Sequence, residues 1–167
     1  MAKIEITPIS EVEKAYIYRT QALWYLKQWI LTPYCWGGND FSSMDCSGLI
    51  VEDFKAIGKF GEREDYTADG LYHLFKAGEL EEGKEPYEGC LVFWFNPLTE
   101  RATHVAMMID NYFLIHASGG GSGTKTIADA IRSNAFIKMR ELEKVASFRK
   151  KEYAQYYKIV DPFKQWQ

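Results

Sequence analysis

The sequence predicts one α+β domain, with N-terminal helices packed on an antiparallel sheet, and three observations carry that expectation. Apolar residues recur at helical spacing through the first half of the chain. The period changes to strand-like apolar runs after residue 90, and no linker or internal repeat separates the two halves. With 167 residues, 47% hydrophobic and 26% charged, residues 1–167 have room for a single core that needs neither a disulfide nor a metal.

Taken in order, residues 11–31 carry Val12, Tyr16, Leu23, Leu26 and Ile30 at helical spacing, with Ser10 as N-cap and Glu13 completing a capping box. Pro33 ends this helix, and Gly37-Gly38-Asn39-Asp40 forms a loop leading into Met44-Asp45-Cys46-Ser47-Gly48. A second helix follows with the stripe Leu49, Ile50, Phe54 and Ile57, stopped by Gly58 and Gly61, so Cys46 falls in its first turn. A short helix over 65–77 and a charged connection over 79–89 precede the strands. These are expected at 91–95, 104–109, 113–117, 135–140 and 156–160, with a flexible glycine loop at 118–123 and a helix near 127–134.

Charge and targeting exclude several classes. A net charge of −3 does not suit a surface that tracks phosphates, so nucleic acid is not an expected partner. Arg149-Lys150-Lys151 is short, is followed by Glu152, and reads as an ordinary solvated face. Residues 1–10 carry no export signal, and the apolar stretch 22–31 is broken by Lys27 and Gln28 and too short to span a membrane. Nothing in the sequence speaks to oligomeric state.

Three cysteines, Cys35, Cys46 and Cys90, leave at least one thiol outside any intramolecular bridge. The ordinary role of such a residue is packing, and Cys35 and Cys90 are assigned to it. Cys46 differs because a helix N-terminus offers oriented N–H groups and positive potential, which favour a thiolate. Its own N–H could also donate to an oxyanion. A thiol nucleophile needs a base, and His104 and His116 sit twelve residues apart on successive strands. His73, in a helical stretch, reads as a partly exposed structural histidine.

Whether the two histidines meet depends on the hairpin between them, because strand side chains alternate between faces. A two-residue loop, Asp110-Asn111, puts them on opposite faces; a three-residue loop, Asp110-Asn111-Tyr112, sets His116 opposite Ala106 and makes His104 its diagonal neighbour. Turn statistics favour the shorter loop. Zinc is not expected, because the cysteines and histidines lack ligand spacing, and the glycine loop lacks the pattern of a phosphate-binding loop. No metal and no cofactor is implied.

Five segments in order, Tyr34-Cys35-Trp36-Gly37-Gly38, Asp45-Cys46-Ser47-Gly48-Leu49, Gly89-Cys90-Leu91-Val92-Phe93-Trp94, Thr103-His104-Val105 and Ile115-His116-Ala117-Ser118, resemble the motifs of the NlpC-type cell-wall cysteine peptidases. The resemblance implies a papain-like fold and the three-residue loop. It further implies Cys46 as nucleophile, His104 as base and His116 as third member, with Tyr34 assisting the oxyanion site and Asp45 and Ser47 lining the substrate cleft. The implied substrate is a peptidoglycan stem peptide, cut at an amide bond next to γ-linked D-glutamate. The alternatives are an amidase or acyltransferase using the same triad, and a catalytically silent wall-binding or phage-tail module. Two positions depart from the family pattern: Cys90 stands where an aspartate is usual, and Ala106 where a glycine is usual. The missing export signal makes the chain similar to phage and prophage members. It is expected to be cytoplasmic at synthesis and then particle-associated or released by lysis.

Overall fold

The capping box forms as the sequence implies, Ser10 Oγ accepting from the Glu13 N–H and the Glu13 carboxylate from the Ser10 N–H, and it opens helix α1 (Glu11–Gln28). The structure, a computed structural model, describes residues 8–166. The expected absence of an export signal therefore falls mainly on residues outside those described. Helix α1 stops three residues before the predicted end, and its buried face is Ala15, Ala22, Leu23 and Leu26, while Val12 and Tyr16 are exposed. Beyond it, residues 31–34 run along the last-but-one strand: the Leu31 and Tyr34 N–H groups donate to Ile137 and Ala135 carbonyls. This pairing carries Tyr34 into the interior.

A two-stranded ribbon, β1 (Asn39–Asp40) with β2 (Ser43–Met44), leads to helix α2 (Cys46–Ala56). Its predicted stripe is correct, with Leu49, Ile50 and Phe54 fully buried. Helix α3 (Ala68–Phe75) is followed by the 3₁₀ turn Lys76–Gly78. Then come β3 (Leu91–Phe95), β4 (Ala102–Met108), β5 (Phe113–Ser118), helix α4 (Ile127–Arg132) and β6 (Phe136–Glu141). Helix α5 (Leu142–Tyr153) and β7 (Tyr156–Val160) complete the five-stranded sheet, ordered β6-β5-β4-β3-β7 and antiparallel throughout.

The two faces of this sheet bury different layers, because side chains alternate along each strand. Leu91, Phe93, Val105 and Met107 face the helical layer, where Phe54 packs edge-on against Phe60, Phe75 and Phe163. Val92, Trp94, Ala106, Met108 and Leu114 face the other way and are covered by Leu142 and Val145 of α5. The expected α+β class, with N-terminal helices on an antiparallel sheet, is what the chain adopts. Helix α5 is absent from the sequence-based expectation; it crosses the sheet between its two edge strands and makes the second layer.

Strands β4 and β5 settle the hairpin. Met107 pairs with Ile115 and Met108 with Leu114, and the Ile109 N–H donates to the Phe113 carbonyl at 2.9 Å, so the loop is Asp110-Asn111-Tyr112. The shorter loop favoured by statistics would be a primed turn, which needs positive φ at its centre, and no residue from 110 to 112 adopts it. Instead Asp110 Oδ1 accepts from the N–H groups of Tyr112 and Phe113 at 2.7 and 2.6 Å, closing the loop with a side chain.

Candidate active site

Cys46 opens α2 because Asp45 caps it. Asp45 Oδ1 accepts from the Ser47 and Gly48 N–H groups at 3.0 and 2.8 Å and from Ser47 Oγ at 2.9 Å, while Oδ2 accepts from the Gly37 N–H at 3.0 Å. One carboxylate thus ties the glycine loop to the helix start. The approach is close: a Cβ on Gly48 would lie 2.1 Å from the Gly38 carbonyl oxygen, so only glycine fits. Asp45 and Ser47 also line a groove of about 280 Å³ with Trp36 and Tyr66.

The Cys46 sulfur lies beside β4, close to the backbone N–H groups of Val105 and Ser47, which favour its charged form. His104, the residue before Val105, is buried on that strand, and its Nε2 lies 2.9 Å from Nδ1 of His116 on β5. The ring of His104 leans on the Trp94 indole, 5.4 Å between centroids. His104 Nδ1 is therefore the ring nitrogen not engaged by His116. Tyr34 is buried nearby and acts electrostatically on Cys46. The fold places His104 against His116 on β4 and β5, and Cys46 beside Tyr34 and Val105, the next residue of β4.

Electrostatics here run against one expectation. Burial pushes the Cys46 thiol up to about 11, and the Asp45 carboxylate pushes the same way; the Val105 N–H, Arg149 and the Ser47 N–H oppose them without prevailing. Burial likewise holds His104 well below its ordinary value, aided by Arg149 and His116. His116 falls to about 3, from burial first and then from Arg149, Arg140 and Lys138. The helix start does not leave a free thiolate at rest, because desolvation outweighs it. The resting pair is a neutral thiol and a neutral imidazole.

Arg149 is the residue that sequence reading passed over. It stands on the face of α5 shared with buried Leu142 and Val145, while Lys150 and Lys151 are exposed or nearly so. Its guanidinium sits 5.4 Å from the Trp94 ring centre and donates to Gln155 Oε1 at 2.8 Å. Gln155 in turn donates to Thr103 Oγ1 at 2.8 Å. The spacing of 142, 145 and 149 is the signal that could have found it, since i, i+3 and i+7 share one helix face. The glycine loop, expected to be flexible, is also anchored: a Cβ on Gly120 would meet the Tyr34 ring at 2.0 Å, and the Thr124 carbonyl accepts from the Trp36 N–H at 2.7 Å.

The remaining cysteines and His73 fall outside this cluster. Cys35 and Cys90 are buried and unbridged, and Cys90 sits beside Tyr87 and the Arg19–Asp161 ion pair, 2.8 Å long. His73 is exposed and lies 3.8 Å from Asp69. Among the described residues no group of three His, Cys, Asp or Glu side chains is arranged to hold a metal ion, and no helix is long and apolar enough to cross a membrane.

A cysteine at a helix start beside a strand pair of histidines, on an α+β frame, is the arrangement of papain-like cysteine peptidases. The model of the NlpC/P60 family matches residues 31–141, and the chain belongs to that family, whose members are cysteine peptidases. No curated protein matches it in sequence. Among solved structures it is similar to NlpC1 from Trichomonas vaginalis, with 19% identity and a TM-score of 0.60 over 85% of this chain and 42% of that one. It also resembles the P60 domain of antigen MAP1204 from M. avium subspecies paratuberculosis, with 16% identity and a TM-score of 0.61 over 90% and 98% of the two chains. A third is the peptidoglycan hydrolase RipB from Mycobacterium tuberculosis, with 16% identity and a TM-score of 0.57 over 94% and 73%. The chain spans less than half the length of the Trichomonas protein. These likenesses establish the papain-like fold.

Proposed function

We propose that the protein is a cell-wall cysteine peptidase that hydrolyses amide bonds in peptidoglycan stem peptides, next to γ-linked D-glutamate, through Cys46, His104 and His116. The observation that carries this reading is the 2.9 Å contact between His104 and His116 on the strands beside the Cys46 sulfur. Family membership and the likeness to a peptidoglycan hydrolase support the substrate class.

In this mechanism the Cys46 proton passes to His104 Nδ1 as the sulfur attacks the scissile carbonyl carbon, because the resting pair is neutral. The oxyanion is received by the Cys46 N–H, with Tyr34 at its side. When the carbon–nitrogen bond breaks, His104 returns the proton to the leaving amine. Water then attacks the thioester, loses its proton to His104, and releases the acid and the thiol. His116 holds the imidazole in the required tautomer throughout, the task an amide or carboxylate performs in other triads.

The test is digestion of purified peptidoglycan, with fragments identified by mass. New amine and carboxyl ends within stem peptides are expected from the wild type and not from Cys46→Ala or His104→Ala. Intact stem peptides after exposure to the folded wild type would overturn the reading.

A further inference from the structure

Beside His116 lies a groove of about 520 Å³ between β5, β6 and α5, and its lining is cationic. Arg140 and Arg149 line it with Lys144, and none of its described lining residues is acidic. Lys144 is already engaged by Glu141 at 2.6 Å. Arg149 donates to the neutral Gln155 carbonyl and Arg140 to the Met139 carbonyl, and among the described residues neither forms an ion pair with a carboxylate. Both guanidinium charges are therefore uncompensated by a carboxylate. Lys138, paired with His116 across the β5–β6 ladder, adds a third positive charge on the same sheet face.

A second observation comes from His116 itself. Its side chain is buried, lines this groove, and its Nε2 has no hydrogen-bond partner among the described residues. When Nδ1 accepts from His104, Nε2 carries the hydrogen, so the orphan is a donor. A buried donor with no acceptor is costly, and it sits among cations that repel one another. All of these groups ask for the same thing, an anion with planar acceptor oxygens.

We propose that this groove is a carboxylate-binding subsite in which Arg149 and Arg140, with the Nε2–H of His116, hold a free carboxylate flanking the scissile amide. The inference rests on the peptidase reading for its substrate and adds a specificity determinant to it. A γ-linked glutamyl residue has such a group, since its α-carboxylate stays free when the side-chain carboxyl forms the amide. Arg149 lies on α5, outside the residues matched by the family model. Arg149 is thus the part of the subsite that the shared motifs do not supply.

The test compares a γ-D-glutamyl peptide carrying a free α-carboxylate with its α-carboxamide. For the wild type, kcat/KM should favour the acid by about ten- to a hundredfold, the range expected of a charge-assisted pair. Arg149→Gln should bring that ratio close to one through loss with the acid peptide, and Arg149→Lys should retain part of it. Should Arg149→Gln unfold, Arg140→Gln, at an exposed position, should lower the ratio severalfold. Calorimetry on Cys46→Ala supplies a readout free of chemistry: it should bind the acid peptide more tightly than the carboxamide. Binding preference without hydrolysis by the wild type would sink the peptidase reading and leave the subsite standing. Hydrolysis with a ratio near one and no binding preference, or a ratio unchanged in a folded arginine variant, would overturn the subsite.

Discussion

His104 Nε2 and His116 Nδ1 meet at 2.9 Å although twelve residues separate them, because the loop from Asp110 to Tyr112 sets the strands in the one register that brings both rings to the same face. With Nε2 so engaged, His104 has Nδ1 alone to offer the thiol in the proposed mechanism. In the proposed mechanism His116 positions that ring and does not touch the reacting atoms. Replacing it should therefore lower kcat, with little change in KM for the α-carboxamide peptide, which has no carboxylate for the Nε2–H of His116 to hold. His116→Ala is expected to cost about 10²–10⁴ in kcat, and His116→Asn, which restores an acceptor, should recover a substantial part. Equal losses in the two variants would count against the positioning role.

Asp45 works in two opposed ways, and a single substitution separates them. Its carboxylate caps α2 and also raises the Cys46 thiol. Asp45→Asn keeps an acceptor for the Ser47 and Gly48 N–H groups and removes the charge. The pH profile of Cys46 alkylation should move to lower pH in this variant. Asp45→Ala, which loses the cap as well, should destabilise the fold by about 1–2 kcal/mol in denaturant unfolding.

The buried histidines make the fold acid-sensitive. An unfolded histidine takes up its proton near 6.5, whereas His116 in the fold resists protonation down to about 3 and His104 is held well below 6.5. Below 6.5 the unfolded chain binds more protons, so the stability present above that pH is lost as pH falls towards the folded values. Each histidine contributes a slope of about 1.4 kcal/mol per pH unit. Unfolding free energies between pH 6.5 and 4.5 should show it, and the slope should be shallower by one such step in His116→Asn.

Asp53 carries the opposite sign. It is fully buried on α2, neither carboxyl oxygen has a hydrogen-bond partner among the described residues, and burial raises it well above its ordinary value. Once pH exceeds about 4 the unfolded state gives up this proton and the folded state keeps it, so stability falls as pH rises towards the folded value. Asp53→Asn removes the ionisation. Its stability relative to the wild type should increase with pH, by up to about 1.4 kcal/mol per unit. A pH-independent difference between the two proteins would show that Asp53 is ionised in the fold.

Much was legible in the sequence by itself, for local reasons. The capping box at Ser10, the apolar stripe of α2, the placement of Cys46 in its first turn and the change of period after residue 90 all depend on neighbours within a few positions. The hairpin loop stood at the limit, since the side chain that closes it, Asp110, is local, yet turn statistics pointed to the shorter form. Tertiary structure alone decided the rest. Whether the thiol is charged depends on burial by elements from both halves of the chain, and there desolvation overrides the helix start. Arg149 looked like one cation in a solvated run until α5 crossed the sheet and turned it onto Trp94. Residue type and spacing determine which groups the chain can bring to a site; what those groups become depends on the distant residues that exclude water from them.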